Sequence, residues 1–145
     1  MAKGTPDYQD ADLVLRVYEM RREPVMRASR DAINGKFWPA NYDEAKAITA
    51  PTHEFNAAYR QTGTYWEMVY GLVRHGIVDA EYFMEANGEG LLLFAKLEPY
   101  VEQLRKDFNP YVFRNTEWVA QETQRGRGLL EVFRGRVKKA LEARK

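Results

Sequence analysis

Cysteine is absent from the 145 residues, which excludes a disulfide scaffold, thiolate zinc ligation and a cysteine nucleophile. Histidine occurs twice, at His53 and His75, too few for a histidine-rich metal site. No apolar run approaches the ~20 residues of a membrane span. The start, Met1-Ala2-Lys3-Gly4-Thr5-Pro6-Asp7, lacks the apolar stretch of a secretory signal. A soluble, cytoplasmic protein is therefore expected. Alternating β-branched runs long enough for a strand are also missing, as are internal repeats and low-complexity segments. What remains is globular: 45% hydrophobic, 30% charged and 13% aromatic residues supply the bulk for one domain-sized core.

The net charge of +1 conceals an asymmetry. Residues 124–145 hold eight Lys/Arg against Glu131 and Glu142, a local charge of +6. The rest of the chain holds 14 Lys/Arg against 19 Asp/Glu, a charge of −5. An acidic body thus carries a basic tail.

Helical periodicity dominates. Thr5-Pro6-Asp7 reads as a cap, a first-turn proline and an acidic residue opening a helix that runs to about Arg22. Pro24 forces a restart, and Asn34-Gly35 reads as a stop after a second helix over 24–33. Asn41 opens a short helix before Pro51. Phe55, Ala58, Tyr59, Thr62, Tyr65, Trp66, Val69, Leu72 and Val73 then follow the i, i+3, i+4, i+7 template, predicting a long central helix over about 52–75, capped by Thr52 and closed by Gly76. Asp79 caps a short helix ending at Asn87-Gly88. A helix over 91–108 with a kink at Pro99 follows, and Asn109-Pro110 opens another to about Gln121. Gly126-Arg127-Gly128 reads as a hinge before an amphipathic helix over 129–143. The expected fold is an all-α, single-domain bundle of about seven helices over 1–125, followed by a basic amphipathic C-terminal helix or tail over 126–145.

Chemical signatures are few. His53-Glu54 fails as a zincin motif, because position 57 is Ala and His75 lies 22 residues on, ~33 Å along a continuous helix. Gly88-Glu89-Gly90 lacks the Lys and Ser/Thr of a phosphate loop and reads as a turn. No metal and no cofactor is expected. Glu67, beside Trp66, is a candidate for a raised pKa in an aromatic pocket with Tyr18 and Tyr65. The structural alternative pairs Glu67 with a buried arginine, Arg105 or Arg27. No companion acid, nucleophile or oxyanion donor is recognisable, so Glu67 is expected to be structural.

Three stretches carry a resemblance. They are Leu13-Val14-Leu15-Arg16-Val17-Tyr18-Glu19-Met20-Arg21-Arg22-Glu23-Pro24-Val25-Met26-Arg27; Tyr65-Trp66-Glu67-Met68, leading to His75-Gly76; and Ala86-Asn87-Gly88-Glu89 with Phe94-Ala95-Lys96-Leu97-Glu98-Pro99-Tyr100. In these the chain resembles an uncharacterised group of small, all-helical bacterial proteins of acidobacterial type. The resemblance implies an all-helical fold and a bacterial, soluble setting; it transfers no site, and the tail after Gly126 lies outside it.

Three functions follow as expectations. The first is a non-enzymatic protein acting through protein–protein contact, as a homodimer, with Leu130, Phe133, Val137 and Leu141 as the contact face of the tail. The second is a small-molecule binding or catalytic domain with a pocket of Tyr18, Tyr65, Trp66 and Glu67. The third is attachment to nucleic acid or an anionic membrane surface through residues 125–145.

Overall fold

Caps and prolines set the helix boundaries in the structure, a computed structural model that describes residues 4–145. Helix α1 (Tyr8–Arg22) starts at Asp7 and not Thr5. The Asp7 carboxylate accepts the Asp10 N–H and the Asp10 carboxylate accepts the Asp7 N–H, each at 3.0 Å, a reciprocal capping box. Glu23 then caps the Met26 N–H at 2.9 Å, and Pro24, at the first helical position, opens α2 (Pro24–Lys36). Asn34-Gly35 lies inside the last turn of α2 and does not end it. Asn41 caps α3 (Tyr42–Ala47).

The long helix α4 (Asn56–Arg74) begins later than Thr52, and its cap residue Phe55 makes no side-chain cap bond. Its end follows the sequence reading. Gly76 adopts φ 72°, its N–H reaches the Val73 carbonyl at 3.1 Å, and the Ile77 N–H reaches the Leu72 carbonyl at 3.0 Å, a Schellman closure. Asp79 caps α5 (Ala80–Ala86).

Two further boundaries depart from the sequence reading. The helix expected over 91–108 is broken by Pro99 into α6 (Gly90–Leu97), a 3-10 turn (Glu98–Tyr100) and α7 (Val101–Asp107). Asn109-Pro110 forms a turn instead of a helix start: Asn109 Oδ1 accepts the Tyr111 N–H at 2.9 Å. Phe113 then takes the left-handed φ of 58°, which costs a residue with a side chain ~1–2 kcal/mol. Only after it does α8 (Arg114–Glu122) begin. Helix α9 (Gln124–Ala143) follows at once, with Thr123 Oγ1 accepting the Gly126 N–H at 2.9 Å. The described residues form nine α-helices and no strand, the all-α bundle that the periodicity predicts, with the helix over 91–108 divided in two.

The architecture is one all-α bundle around one core. Helix α4 runs between α2 and α8, and α9 lies across α6 and α8. The helix enclosed on all sides is α6, whose eight residues, Gly-Leu-Leu-Leu-Phe-Ala-Lys-Leu, are all buried. The Gly126-Arg127-Gly128 segment is helical and not a hinge. A Cβ on Gly126 would stand 2.2 Å from the Val119 carbonyl oxygen, so only glycine lets α9 come this close to α8. No helix among the described residues is long and apolar enough to cross a membrane.

Candidate functional site

Successive residues of an α-helix point about 100° apart, and α4 uses this to split the Tyr65-Trp66-Glu67 triplet. Tyr65 and Trp66 turn into the core. Trp66, 2% exposed, meets the Tyr65 ring edge-on at 5.0 Å and stacks on Tyr70 at 5.3 Å. The Arg21 guanidinium lies 5.4 Å from the Trp66 ring and 5.5 Å from the Tyr18 ring, a cation–π contact on both. Tyr18 itself stays half in solvent on α1. Glu67 faces the other way, toward α8. The four residues expected to line one pocket therefore do not meet.

What gathers around Trp66 is a cross-tie between helices. Arg21 donates to Asn87 Oδ1 and, at 3.4 Å, to the Ala86 carbonyl. Arg30 forms a bidentate pair with Glu89 at 2.6 and 2.8 Å, which holds the guanidinium pKa above its ordinary value. The Tyr65 hydroxyl donates to the Val17 carbonyl at 2.7 Å, and the Tyr70 hydroxyl donates to the Asn87 carbonyl at 2.8 Å. A Cβ on Gly90 would sit 2.5 Å from Trp66, so the turn at 88–90 is pressed onto the ring. Arg21, Trp66 and Asn87, one from each stretch of the resemblance, meet here, and every polar group named is committed to holding α1, α2, α4 and the α5–α6 turn together.

Lys96 is a second buried cation that the sequence reading passed over. It is 1% exposed, on α6. Its Nζ donates to the Ile33 and Asn34 carbonyls at 2.7 and 2.9 Å and lies 3.7 Å from the Trp38 ring centroid. It thus satisfies the orphan carbonyls at the negative end of α2. Burial still pushes its pKa down to about 7.

Glu67 is a capping group, but not for an arginine. Its carboxylate accepts the Asn115 N–H at 2.7 Å, the Thr116 N–H at 3.0 Å and the Thr116 hydroxyl at 2.9 Å. Phe113 offers α8 no side-chain cap, so α4 supplies one from across the interface, with its negative charge at the positive end of α8. Arg105, the expected partner, instead pairs with Glu102 and Glu117 at 3.0 and 3.3 Å.

Beside Glu67 the surface opens into an apolar recess. A groove of about 590 Å³ runs between α4 and the α7–α8 segment. Leu104, Phe108, Val112 and Phe113 form one wall, and Tyr59, Gly63 and Met68 the other. Three large apolar side chains stand in solvent on its rim: Met68 is 59% exposed, Phe108 52% and Tyr111 75%. Most polar side chains of the wall are committed. Thr64 Oγ1 donates to the Arg60 carbonyl at 2.6 Å, Thr49 Oγ1 donates to the Lys46 carbonyl at 2.7 Å, and Asn115 Nδ2 donates to the Glu67 carbonyl at 3.1 Å. Tyr59 is half-buried, which pushes its pKa up to about 12, and its hydroxyl meets solvent instead of a protein partner. Arg60 uses only Nε, which donates to Asn56 Oδ1 at 3.0 Å. The periodicity read Tyr59 as one more core aromatic; its solvent-facing hydroxyl is invisible in sequence. A recess of about 720 Å³ elsewhere, between α2, the α5–α6 turn and α9, is wider but walled by charged groups, among them Glu89 in its pair with Arg30.

The tail residues face the protein's own body. Leu130 and Phe133 are buried, and Val137 and Leu141 are half-buried. Arg134 pairs with Glu98 and Glu131, Arg144 pairs with Glu44 at 2.7 Å, and Glu81 caps the Gln124 and Arg125 N–H groups at 2.8 and 3.1 Å. Arg127, Lys138 and Lys139 remain exposed. Among the described residues no three of His, Asp and Glu gather as a metal set.

No curated protein and no solved structure matches the chain. One family does match, over residues 7–123, from the cap of α1 to the cap of α9. That span contains the Trp66 cross-tie, Lys96 and the whole groove, and leaves out α9. The chain belongs to this family, described as a domain of unknown function (DUF4760).

Proposed function

We propose that the protein is a non-catalytic binding domain whose site is the groove between α4 and the α7–α8 segment, and that it takes a small apolar ligand. One observation carries the reading: an apolar groove of about 590 Å³, within the ~300–1,000 Å³ range of ligand pockets, rimmed by Met68, Phe108 and Tyr111 in solvent. Leaving such side chains in water forgoes ~1.5–3 kcal/mol each that a bound ligand would recover in part. The test is titration with the neutral fluorescent probe N-phenyl-1-naphthylamine. The reading expects saturable, one-to-one enhancement that Met68→Asp with Phe108→Ser abolishes; both positions are exposed, so the fold should survive. Absence of saturable binding, or binding unchanged in the double variant, removes the reading.

A second reading, self-association, is favoured by α1. Tyr8, Leu15 and Tyr18 are exposed along one side of the helix, with spacings of seven and three residues. With α9 laid on its own body, this face and not the tail is the proposed homodimer surface. Sedimentation equilibrium is the check: a dimer that Leu15→Lys converts to monomer supports it, and a wild-type monomer at high concentration rejects it.

A further inference from the structure

We propose that the protein pairs with a second copy of itself through α1, the two helices antiparallel about a two-fold axis at Leu15, with Tyr18 of each copy seated at Ala11 of the other. The proposal rests on the self-association reading and names the contact that reading would use. Tyr8, Leu15 and Tyr18 are 94%, 63% and 49% exposed, on a helix whose opposite side, through Asp10, Val17 and Arg21, is buried in the fold. At ~100° per residue, Leu15 lies ~20° from Tyr8 around the helix axis, and Ala11 and Tyr18 lie ~20° from each other on one flank of that line. On this flank Ala11 is the small residue and Tyr18 the large one. A shallow recess of about 490 Å³, lined by Pro6, Asp7, Tyr8, Ala11 and Tyr82, opens beside Ala11.

A contact between two copies of one patch must be complementary to itself: if one residue meets a second, the second meets the first. Leu15 stands four residues after Ala11 and three before Tyr18. A two-fold axis there sets Leu15 against Leu15 and the large Tyr18 of each helix at the small Ala11 of the other. An axis perpendicular to the helix also keeps the same flank of both copies together, the flank that Ala11 and Tyr18 share. Charge selects the antiparallel direction. Asp7, Asp10 and Asp12 lie at the start of α1, and Arg21 and Arg22 at its end. An antiparallel copy sets the exposed Arg22 beside Tyr8 and the acidic start, whereas a parallel copy places like charge on like. The exposed Asp12, Arg16, Glu19 and Arg22 sum to zero, so the face carries no net charge to hold two copies apart. One helix pair ~22 Å long buries less than the ~1,200 Å² of a standard interface, so the dimer is expected to be weak and to exchange.

Because the chain has no cysteine of its own, single cysteines report the arrangement in the full-length protein. Helices packed ~8–10 Å apart bring facing Cα atoms to about 4–5 Å, within disulfide reach. Under mild oxidation Leu15→Cys should cross-link to itself. An equimolar mixture of Ala11→Cys and Tyr18→Cys should give the mixed dimer severalfold over either self-pair. Gln9→Cys, exposed but about a quarter turn off the Tyr8–Leu15 line, should stay monomeric and so controls for random collision. Tyr18→Ser should weaken self-association about tenfold in sedimentation equilibrium. Self-pairing of Tyr8→Cys with no mixed Ala11–Tyr18 product would mean parallel helices; it overturns the arrangement and leaves α1 as the surface. A wild-type monomer at high concentration, or a dimer in which Leu15→Cys cross-links no more than Gln9→Cys, overturns the α1 surface and the arrangement together.

Discussion

The two faces of α4 use the same residue types for opposite ends. On the core face, Tyr65, Trp66 and Tyr70 are buried and both tyrosine hydroxyls donate to backbone carbonyls. On the groove face, the Tyr59 hydroxyl meets solvent instead of a carbonyl, and Met68 is exposed. A buried polar group is costly unless paired, so a face built for stability pairs its groups. A face that leaves apolar surface uncovered forgoes stability, as binding surfaces do. The difference lies in partners and not in composition.

Substitutions on the two faces should separate this contrast in order of size. Trp66→Ala, on the core face, removes the ring against which Arg21, Tyr70 and Gly90 pack, and is expected to cost ~3–5 kcal/mol. Chemical denaturation reads it directly, and a loss under 1 kcal/mol, the range of surface changes, would place Trp66 outside the core.

Lys96 gives the next effect, and it depends on pH. Its pKa is about 7 folded against 10.5 for an ordinary lysine. Between those values the unfolded chain binds more protons, so this group makes stability rise with pH through that window. Tyr59, raised from 10.0 to about 12, acts in reverse above pH 10. The Lys96 contribution should be on the order of 3 kcal/mol between pH 7 and 10. Urea midpoints for Lys96→Met should show a flatter slope there than wild type; parallel profiles would mean that the buried ammonium is not depressed.

Glu67→Gln, between the two faces, keeps the shape and weakens the cap on α8. The expected loss is ~1–2 kcal/mol. Amide exchange should rise first at Asn115 and Thr116; an unchanged pattern would deny the cap. The smallest effects form the sharpest pair. Tyr70→Phe orphans the Asn87 carbonyl and should cost ~1 kcal/mol. Tyr59→Phe loses no bond and should stay within ~0.5 kcal/mol of wild type. Equal costs at the two positions would erase the distinction between the faces.

The outcome at particular elements shows what was legible beforehand. The apolar stripe from Phe55 to Val73 and the Gly76 stop identified α4, and Pro24 placed the α1–α2 break, because period and backbone restriction are local properties. Asn109-Pro110 misled for the same reason: its local signal favours a cap, but Asn109 was used in a turn and burial holds Phe113 left-handed beside Phe94, their rings 6.1 Å apart. Gly126 and Gly128 read as flexible because glycine is permissive; close packing against Val119 explains Gly126 instead.

By itself the sequence determined an all-helical chain, most of its helix boundaries, the buried stripe of α4 and the division between acidic body and basic tail, all set by nearest-neighbour geometry along the chain. Tertiary structure alone decided which side chains meet: that Glu67 caps α8, that Lys96 closes α2, that α9 lies on α6 and α8, and that the Tyr59 hydroxyl meets solvent instead of a protein partner. Each of those pairings joins residues far apart in sequence, or follows from the absence of one, and a hydrogen bond is fixed by position in space and not by residue type.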